Sequence, residues 1–307
     1  SRFDPTTRAA RALRARTRLA LSGTPVENRL TELWSIMDFC NPGMLGTHRQ
    51  FEARFEKPLA AAALDGPASP KTLSAALVAA RLRALLRPFV LRRTRAEVLD
   101  DLPPRQEVEL ACPLGDAHRK MYDALAVVLR AEVREFARRD PFGRPGIAVF
   151  TALLRLRQMA CDPRLVDGRT EVVGSKREVF LSTVRALVAE GRRALVFSQF
   201  TELLGLWGAD LAREDVAYEY LDGATVDRDG VVRRFQEGAA PLFLISLKAG
   251  GAGLNLTAAD TVIHCDPWWN PAVEDQATDR AHRMGQTRGV TVYRLVARGT
   301  VEERVLS

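Results

Sequence analysis

The chain has 307 residues, 47% of them hydrophobic, a formal charge of +7 and four cysteines. That length suits two domains or one domain with a large insertion, and that apolar share builds a sizeable core. Cysteines dozens of residues apart, none in a Cys-x-x-Cys pair, argue against a zinc site or a disulfide framework, and no apolar run is long enough to span a bilayer.

No charged-then-apolar leader opens the sequence, so a soluble, cytosolic chain is the expectation. Arginine supplies most of the positive charge. Such a surface favours nucleic acid or other phosphate partners, although a GC-rich genome also produces arginine-rich proteins.

In chain order, the basic start "SRFDPTTRAARALRARTR" reads as a helix leading into an apolar strand, "RLALS". After a Gly-Thr-Pro turn, Leu30, Leu33, Trp34 and Met37 recur at helical spacing. "CNPGMLG" ends that helix with turn residues. Residues 60–70, "AAAALDGPASP", look like a surface loop, and 71–87, 116–139 and "TALLRLRQMACDP" look like helices. This middle third is α-rich and without an obvious catalytic constellation. Its Arg92, Arg93 and Arg95 follow the apolar "PFVL" and read either as a phosphate-facing turn or as a solvated edge.

From residue 175 the pattern becomes regular. A helix over 176–190 leads to the strand "RALVFS"; a helix over about 200–213 leads to "YEYLDG"; a helix over 228–237 leads to "PLFLIS". "TVIHCD" is the next strand, followed by a helix over 271–283 and the strand "VTVYRLVA". Short apolar strands alternating with helices predict an α/β fold, with a parallel sheet covered on both faces. Ligands in such sheets bind beyond the carboxyl ends of the strands.

The loop "SLKAGGAGLNLTAAD" (246–260) leaves one of these strands with three glycines in four positions. Glycine admits positive φ and close approach, so its amides can cradle phosphate beside the Lys248 cation; a merely flexible loop has the same composition. In "HCDPWWNP" the adjacent Trp268 and Trp269 tend to point in opposite directions, one into the core and the other toward a groove where it could meet a nucleic-acid strand. In "DQATDRAHRMGQ" a helix would place Gln276, Arg280 and Arg283 on one face. That face is either solvated, with an Asp279–Arg283 ion pair, or a polyphosphate site.

One absence bears on the choice. A motor that hydrolyses ATP normally carries Gly-x-x-x-x-Gly-Lys-Ser/Thr, and the 307 residues hold no Gly-Lys-Ser/Thr and no apolar strand ending in an Asp-Glu pair.

"LALSGTPVENRLTELWSIMDF", "RALVFSQF", "YLDGAT", "LISLKAGGAGLNLTAADTVIHCDPWWNP" and "DQATDRAHRMGQT" occur in this order. Together they closely resemble the Swi/Snf-type (sucrose non-fermenting) DNA-dependent ATPases of helicase superfamily two, in their bacterial form. The resemblance covers nearly the whole chain. It implies a RecA-like second lobe with helices on both faces of its sheet. An α-helical segment and the tail of a first RecA-like lobe would precede it. Residues 1–40 would be that tail, with Gly23, Thr24 and Pro25 as an inter-lobe coupling motif. Residues 41–175 would be helical protrusions and the inter-lobe linker, 176–299 the second lobe, and 300–307 the start of a brace helix.

The same resemblance implies roles for single residues. Arg280 and Arg283 look like the arginines that reach ATP phosphates, where a positioned guanidinium can raise the rate of phosphoryl transfer by about 10³–10⁵. Gln276, Gly251, Gly253 and Asn255 resemble nucleotide-side positions. Ser246, Lys248, Trp268 and Gln199 resemble DNA-side positions. No residue stands out as a metal ligand. ATP and Mg²⁺ would be held mainly by an N-terminal lobe, supplied in cis or trans, that carries the phosphate loop and acidic box.

The implied function is the C-terminal half of a double-stranded DNA translocase or remodeller, inactive as this chain alone. The substrate would be a DNA-bound protein or polymerase, in a nucleoid-associated cytoplasmic setting with no membrane partner. A stand-alone nucleic-acid-binding or regulatory module without ATPase activity is the alternative.

Overall fold

The computed structural model describes residues 5–22, 30–63, 70–91, 102–139, 145–249 and 254–306. The chain forms two compact units, Ser1–Asp100 and Asp101–Ser307. The predicted Gly23, Thr24 and Pro25, Gly251 and Gly253, and Arg92, Arg93 and Arg95 lie outside the described residues.

The first unit is helical: α1 (Pro5–Ala12), α2 (Leu30–Cys40), α3 (His48–Phe51), a π-helical turn (Glu52–Glu56), α4 (Lys57–Ala63) and α5 (Pro70–Leu86). Trp34, Met37, Leu45, Phe51, Phe55 and Leu82 make its core. The Trp34 indole donates to the Gly46 carbonyl at 3.1 Å, tying α2 to the turn that follows it. Thr47 and Gln50 cap α3 reciprocally, each side chain taking the other's backbone N–H.

Two expectations fail in this unit. Residues 60–63 belong to α4 rather than to a surface loop, because Ala is the best helix former and all four are alanine. "RLALS" is not a strand: residues 18–22 have no ladder partner among the described residues, and Leu19 and Leu21 are 79% and 91% exposed. An isolated apolar strand has no sheet to complete its hydrogen bonds.

The second unit carries six parallel strands in the order β1-β6-β5-β2-β4-β3. They are β1 (Arg105–Cys112), β2 (Ala194–Ser198), β3 (Tyr218–Leu221), β4 (Leu242–Ser246), β5 (Thr261–His264) and β6 (Val290–Ala297). Sequence alternation sends side chains to two faces. On one face, Val196, Leu244 and Ile263 pack under α8 (Lys176–Ala189) and α9 (Thr201–Arg213), where Phe180 stacks on Trp207 at 4.2 Å. On the other, Phe197, Phe243 and Val262 meet Val231 and Phe235 of α10 (Arg228–Glu237) and Ala277 of α11 (Pro271–Thr278). This is the doubly covered, RecA-like α/β sheet expected.

β1 was not expected. It runs parallel to β6, with Arg105 opposite Val290 and Cys112 opposite Ala297. α6 (Asp116–Arg139) and α7 (Pro145–Cys161) follow it as a helical hairpin, and α12 (Val301–Leu306) ends the described chain. No described helix is long and apolar enough to cross a membrane.

Candidate functional site

The carboxyl ends of β4, β2 and β5 lie side by side, and the residues that follow them build the site. The Leu247 N–H donates to the Ser198 carbonyl at 2.9 Å and the Cys265 N–H to the Phe197 carbonyl at 2.9 Å, so the three strand ends are locked in step. Ser246 is buried and its hydroxyl accepts the Ala249 N–H at 3.3 Å, which turns the chain into the Gly-rich loop; Lys248 is exposed there.

The loop's exit is held from two directions. Gln236 of α10 donates to the Asn255 carbonyl and accepts the Ala258 N–H, both at 3.0 Å. The Leu256 N–H donates to the Arg280 carbonyl at 3.0 Å. Asn255 itself is exposed.

The arginine segment differs from its expectation. α11 ends at Thr278 rather than at residue 283, so Gln276 sits on the helix while Arg280 and Arg283 sit on the turn beyond it. Tertiary contacts account for the early stop. The Thr278 hydroxyl is bonded to the His264 ring at 3.0 Å, and the Arg280 carbonyl is turned to Leu256. Gly285, at φ +96°, then redirects the chain into β6, a conformation that favours glycine.

Gln286 clamps this turn. Its amide nitrogen donates to the Thr257, Ala259 and Ala281 carbonyls at 3.3, 2.7 and 3.2 Å, and its oxygen accepts the Thr287 and Arg288 N–H groups at 3.0 Å each. The Gly-rich loop's exit and the arginine turn are therefore one rigid piece.

Within it, Arg280 is only 5% exposed, and its Nε is buried without a hydrogen-bond partner among the described residues. Burial, reinforced by neighbouring Arg283, presses its pKa below the ordinary arginine value. Arg283 is exposed.

At the ends of β2 and β5, Asp266 is fully buried. Its carboxylate accepts the Ser198 hydroxyl and the Gln199 amide nitrogen at 2.6 Å each. Burial pushes its pKa up against the opposing pull of Arg157. The Gln199 side chain is held in place by this network, its oxygen accepting from Arg157 at 3.2 Å. Trp268 is the inner of the two tryptophans, packed against the apolar cluster of Phe197, Phe243 and Val262, and Trp269 is 43% exposed. The Trp268 N–H donates to Glu274 of α11 at 2.7 Å. Arg157, Asp266, Gln236 and Gln286 were missed in the sequence, where each reads as an ordinary polar residue.

His264, beside this network, stacks on Phe197 at 5.8 Å, and burial pulls its pKa down to about 3. The unfolded chain takes up this proton below about pH 6.5, and the folded chain does not until far lower. Its contribution is therefore intact above pH 6.5 and is lost on acidification toward 3. In urea unfolding, the parent should lose up to ~1.4 kcal/mol per pH unit more than His264→Gln across that window. Parallel pH profiles would contradict the assignment.

Residues 4–165 match the family model of the SNF2-related domain, and residues 175–285 that of the helicase conserved C-terminal domain. An uncharacterized ATP-dependent helicase of Mycoplasma pneumoniae is 36% identical over 302 residues, covering 97% of this chain and 27% of that protein. The TATA-binding protein-associated factor MOT1 of Saccharomyces cerevisiae is 33% identical over 346 residues, covering 97% of this chain and 18% of that protein. The chain thus spans about a quarter or less of the length of these relatives. The Sulfolobus solfataricus SWI2/SNF2 ATPase core, solved in complex with double-stranded DNA, has a TM-score of 0.57 and 31% identity. That likeness covers 99% of this chain and 62% of the solved one.

Proposed function

The chain belongs to the SNF2-related family, and from that membership we propose that it supplies the second RecA-like lobe and adjoining segments of an ATP-dependent double-stranded DNA translocase or remodeller. The observation that carries the reading is Arg280: a nearly buried guanidinium whose Nε has no partner among the described residues, in a turn bonded to the exit of a Gly-rich loop. Buried polar groups are almost always paired, so a donor left unpaired among the described residues is free to take a ligand. A triphosphate fits, because it accepts planar, charge-assisted hydrogen bonds from arginine.

Arg280 and the exposed Arg283 then face the ATP phosphates, with Gln276, Gly251, Gly253 and Asn255 on the nucleotide side. Another RecA-like lobe, in cis or trans, holds Mg²⁺ and most of the ATP. Supporting that lobe, Leu19 and Leu21 are exposed on a segment with no strand partner among the described residues, as an apolar strand awaiting a sheet would be. Gly23, Thr24 and Pro25, next in sequence, serve as its coupling link.

The DNA side is built from Ser246, Lys248, Gln199 and the Trp268–Trp269 pair. Named relatives include a TATA-binding protein-associated factor, which supports a DNA-bound protein as the remodelled substrate. For Trp268→Ala and Trp269→Ala, duplex DNA affinity should fall roughly tenfold, the size of one aromatic–nucleic-acid contact. Titration of fluorescent duplex at fixed salt reads it, and unchanged affinity in both variants would reject the DNA side.

A further inference from the structure

α7 sends one arginine into the core beneath the paired tryptophans. Arg157 is 1% exposed, and its guanidinium carbon lies 6.0, 5.8 and 5.0 Å from the ring centres of Phe200, Trp268 and Trp269. One terminal nitrogen donates to the Gln199 side-chain oxygen at 3.2 Å; the other donates to the Pro267 carbonyl and lies 3.5 Å from an Asp266 carboxylate oxygen. Nε is buried with no partner among the described residues.

This is a poor way to gain stability. The ion contact is long for a charge-assisted bond, and an apolar side chain of similar volume would avoid the cost of burying a cation. A guanidinium offers something an apolar group lacks. Its planar fork fixes hydrogen-bond directions, while its charge sits within cation–π range of the aromatic rings. One side chain thereby orients both indoles and the Gln199 amide, on strand ends that are not consecutive in sequence.

We propose that Arg157 is a positioning residue that holds Trp268, Trp269 and Gln199 in the orientation that meets nucleic acid, tying the α6–α7 hairpin to that face. Its consequence for binding rests on the DNA reading above, whereas its hold on the indoles does not.

The test uses Arg157→Met and Arg157→Lys in the full 307-residue chain, with two readouts. The first needs no nucleic acid. Of the four tryptophans, Trp34 and Trp207 are buried, and the Arg157 guanidinium has its ring contacts with Phe200, Trp268 and Trp269. In Arg157→Met the indole N–H resonances of Trp268 and Trp269 should move while that of Trp207 stays, and acrylamide quenching should rise as Trp269 loses its cation–π partner. Arg157→Lys keeps a cation without the fork and should shift the same two resonances less.

The second readout is duplex DNA affinity, expected to fall about tenfold in Arg157→Met and less in Arg157→Lys. Adding Arg157→Lys to Trp269→Ala should cost less than the sum of the two separate losses, because part of the effect of Arg157 runs through Trp269. Unmoved indole resonances in a folded Arg157→Met protein would overturn the proposal. So would full duplex affinity in Arg157→Met where Trp269→Ala is weakened, which leaves the DNA reading standing. Full affinity in both would sink the two together. If Arg157→Met does not fold, Arg157→Lys with an unchanged melting temperature carries the test: strict additivity with Trp269→Ala then overturns the proposal.

Discussion

Replacing Arg280 by alanine should lower DNA-stimulated ATP hydrolysis by about 10³-fold or more while leaving the fold as stable as before. The two halves of that result come from one observation. The Arg280 guanidinium is desolvated and its Nε has no partner among the described residues, so it contributes no hydrogen bond there whose loss would be felt. Its backbone carbonyl, which accepts the Leu256 N–H, survives the substitution. A cation that is costly to bury and leaves its Nε unpaired among the described residues is best explained by the charge that develops on a transferred phosphoryl group. The assay is hydrolysis with duplex DNA in a protein holding both lobes, beside thermal unfolding of the same variant. A large drop in melting temperature would make Arg280 a structural residue; near-normal turnover would remove it from the ATP site.

Lys176→Met should have the opposite signature, a loss of about 3–5 kcal/mol in stability. Lys176 is completely buried and donates to the Cys265 and Leu295 carbonyls at 2.8 and 3.0 Å and to Glu302 at 2.8 Å. Burial alone would lower its pKa, but the Glu302 carboxylate beside it overrides that and raises it above the ordinary lysine value. Glu302 also accepts the Ala297 N–H at 2.8 Å, so the pair joins α8, the ends of β5 and β6, and α12. Without the lysine, a carboxylate stays buried with no counter-charge. Combining Lys176→Met with Glu302→Gln should recover part of the loss, since it removes the stranded charge. Urea midpoints measure both, and a single-variant loss under about 1 kcal/mol would contradict a buried pair that must be kept whole.

Much of this was legible in the sequence where local pattern and tertiary role agree. The strands around Val196, Leu244 and Ile263 are continuous apolar runs because helices cover both faces of the sheet, and the intervening helices carry their own periodicity. β1 was missed for the converse reason. It is an edge strand whose exposed Glu107 and Glu109 alternate with Val108 and Leu110, and its partner β6 lies far along the chain. That alternation was the available signal. The end of α11 was misplaced because helical spacing continues through Arg283, while the stop comes from His264, Leu256 and Gly285. "RLALS" has a strand's composition without a described sheet to join. Arg157 and Asp266 look like ordinary surface charges until the fold buries them together.

We propose that this chain holds the arginine half of an ATP site. The most direct measurement is ATP hydrolysis by the 307-residue chain with duplex DNA, alone and with an added RecA-like lobe carrying a phosphate loop and acidic box. The chain alone should stay at background, and the added lobe should bring DNA-stimulated turnover that Arg280→Ala abolishes. Turnover by the chain alone, or equal turnover with the Arg280→Ala chain, would contradict it.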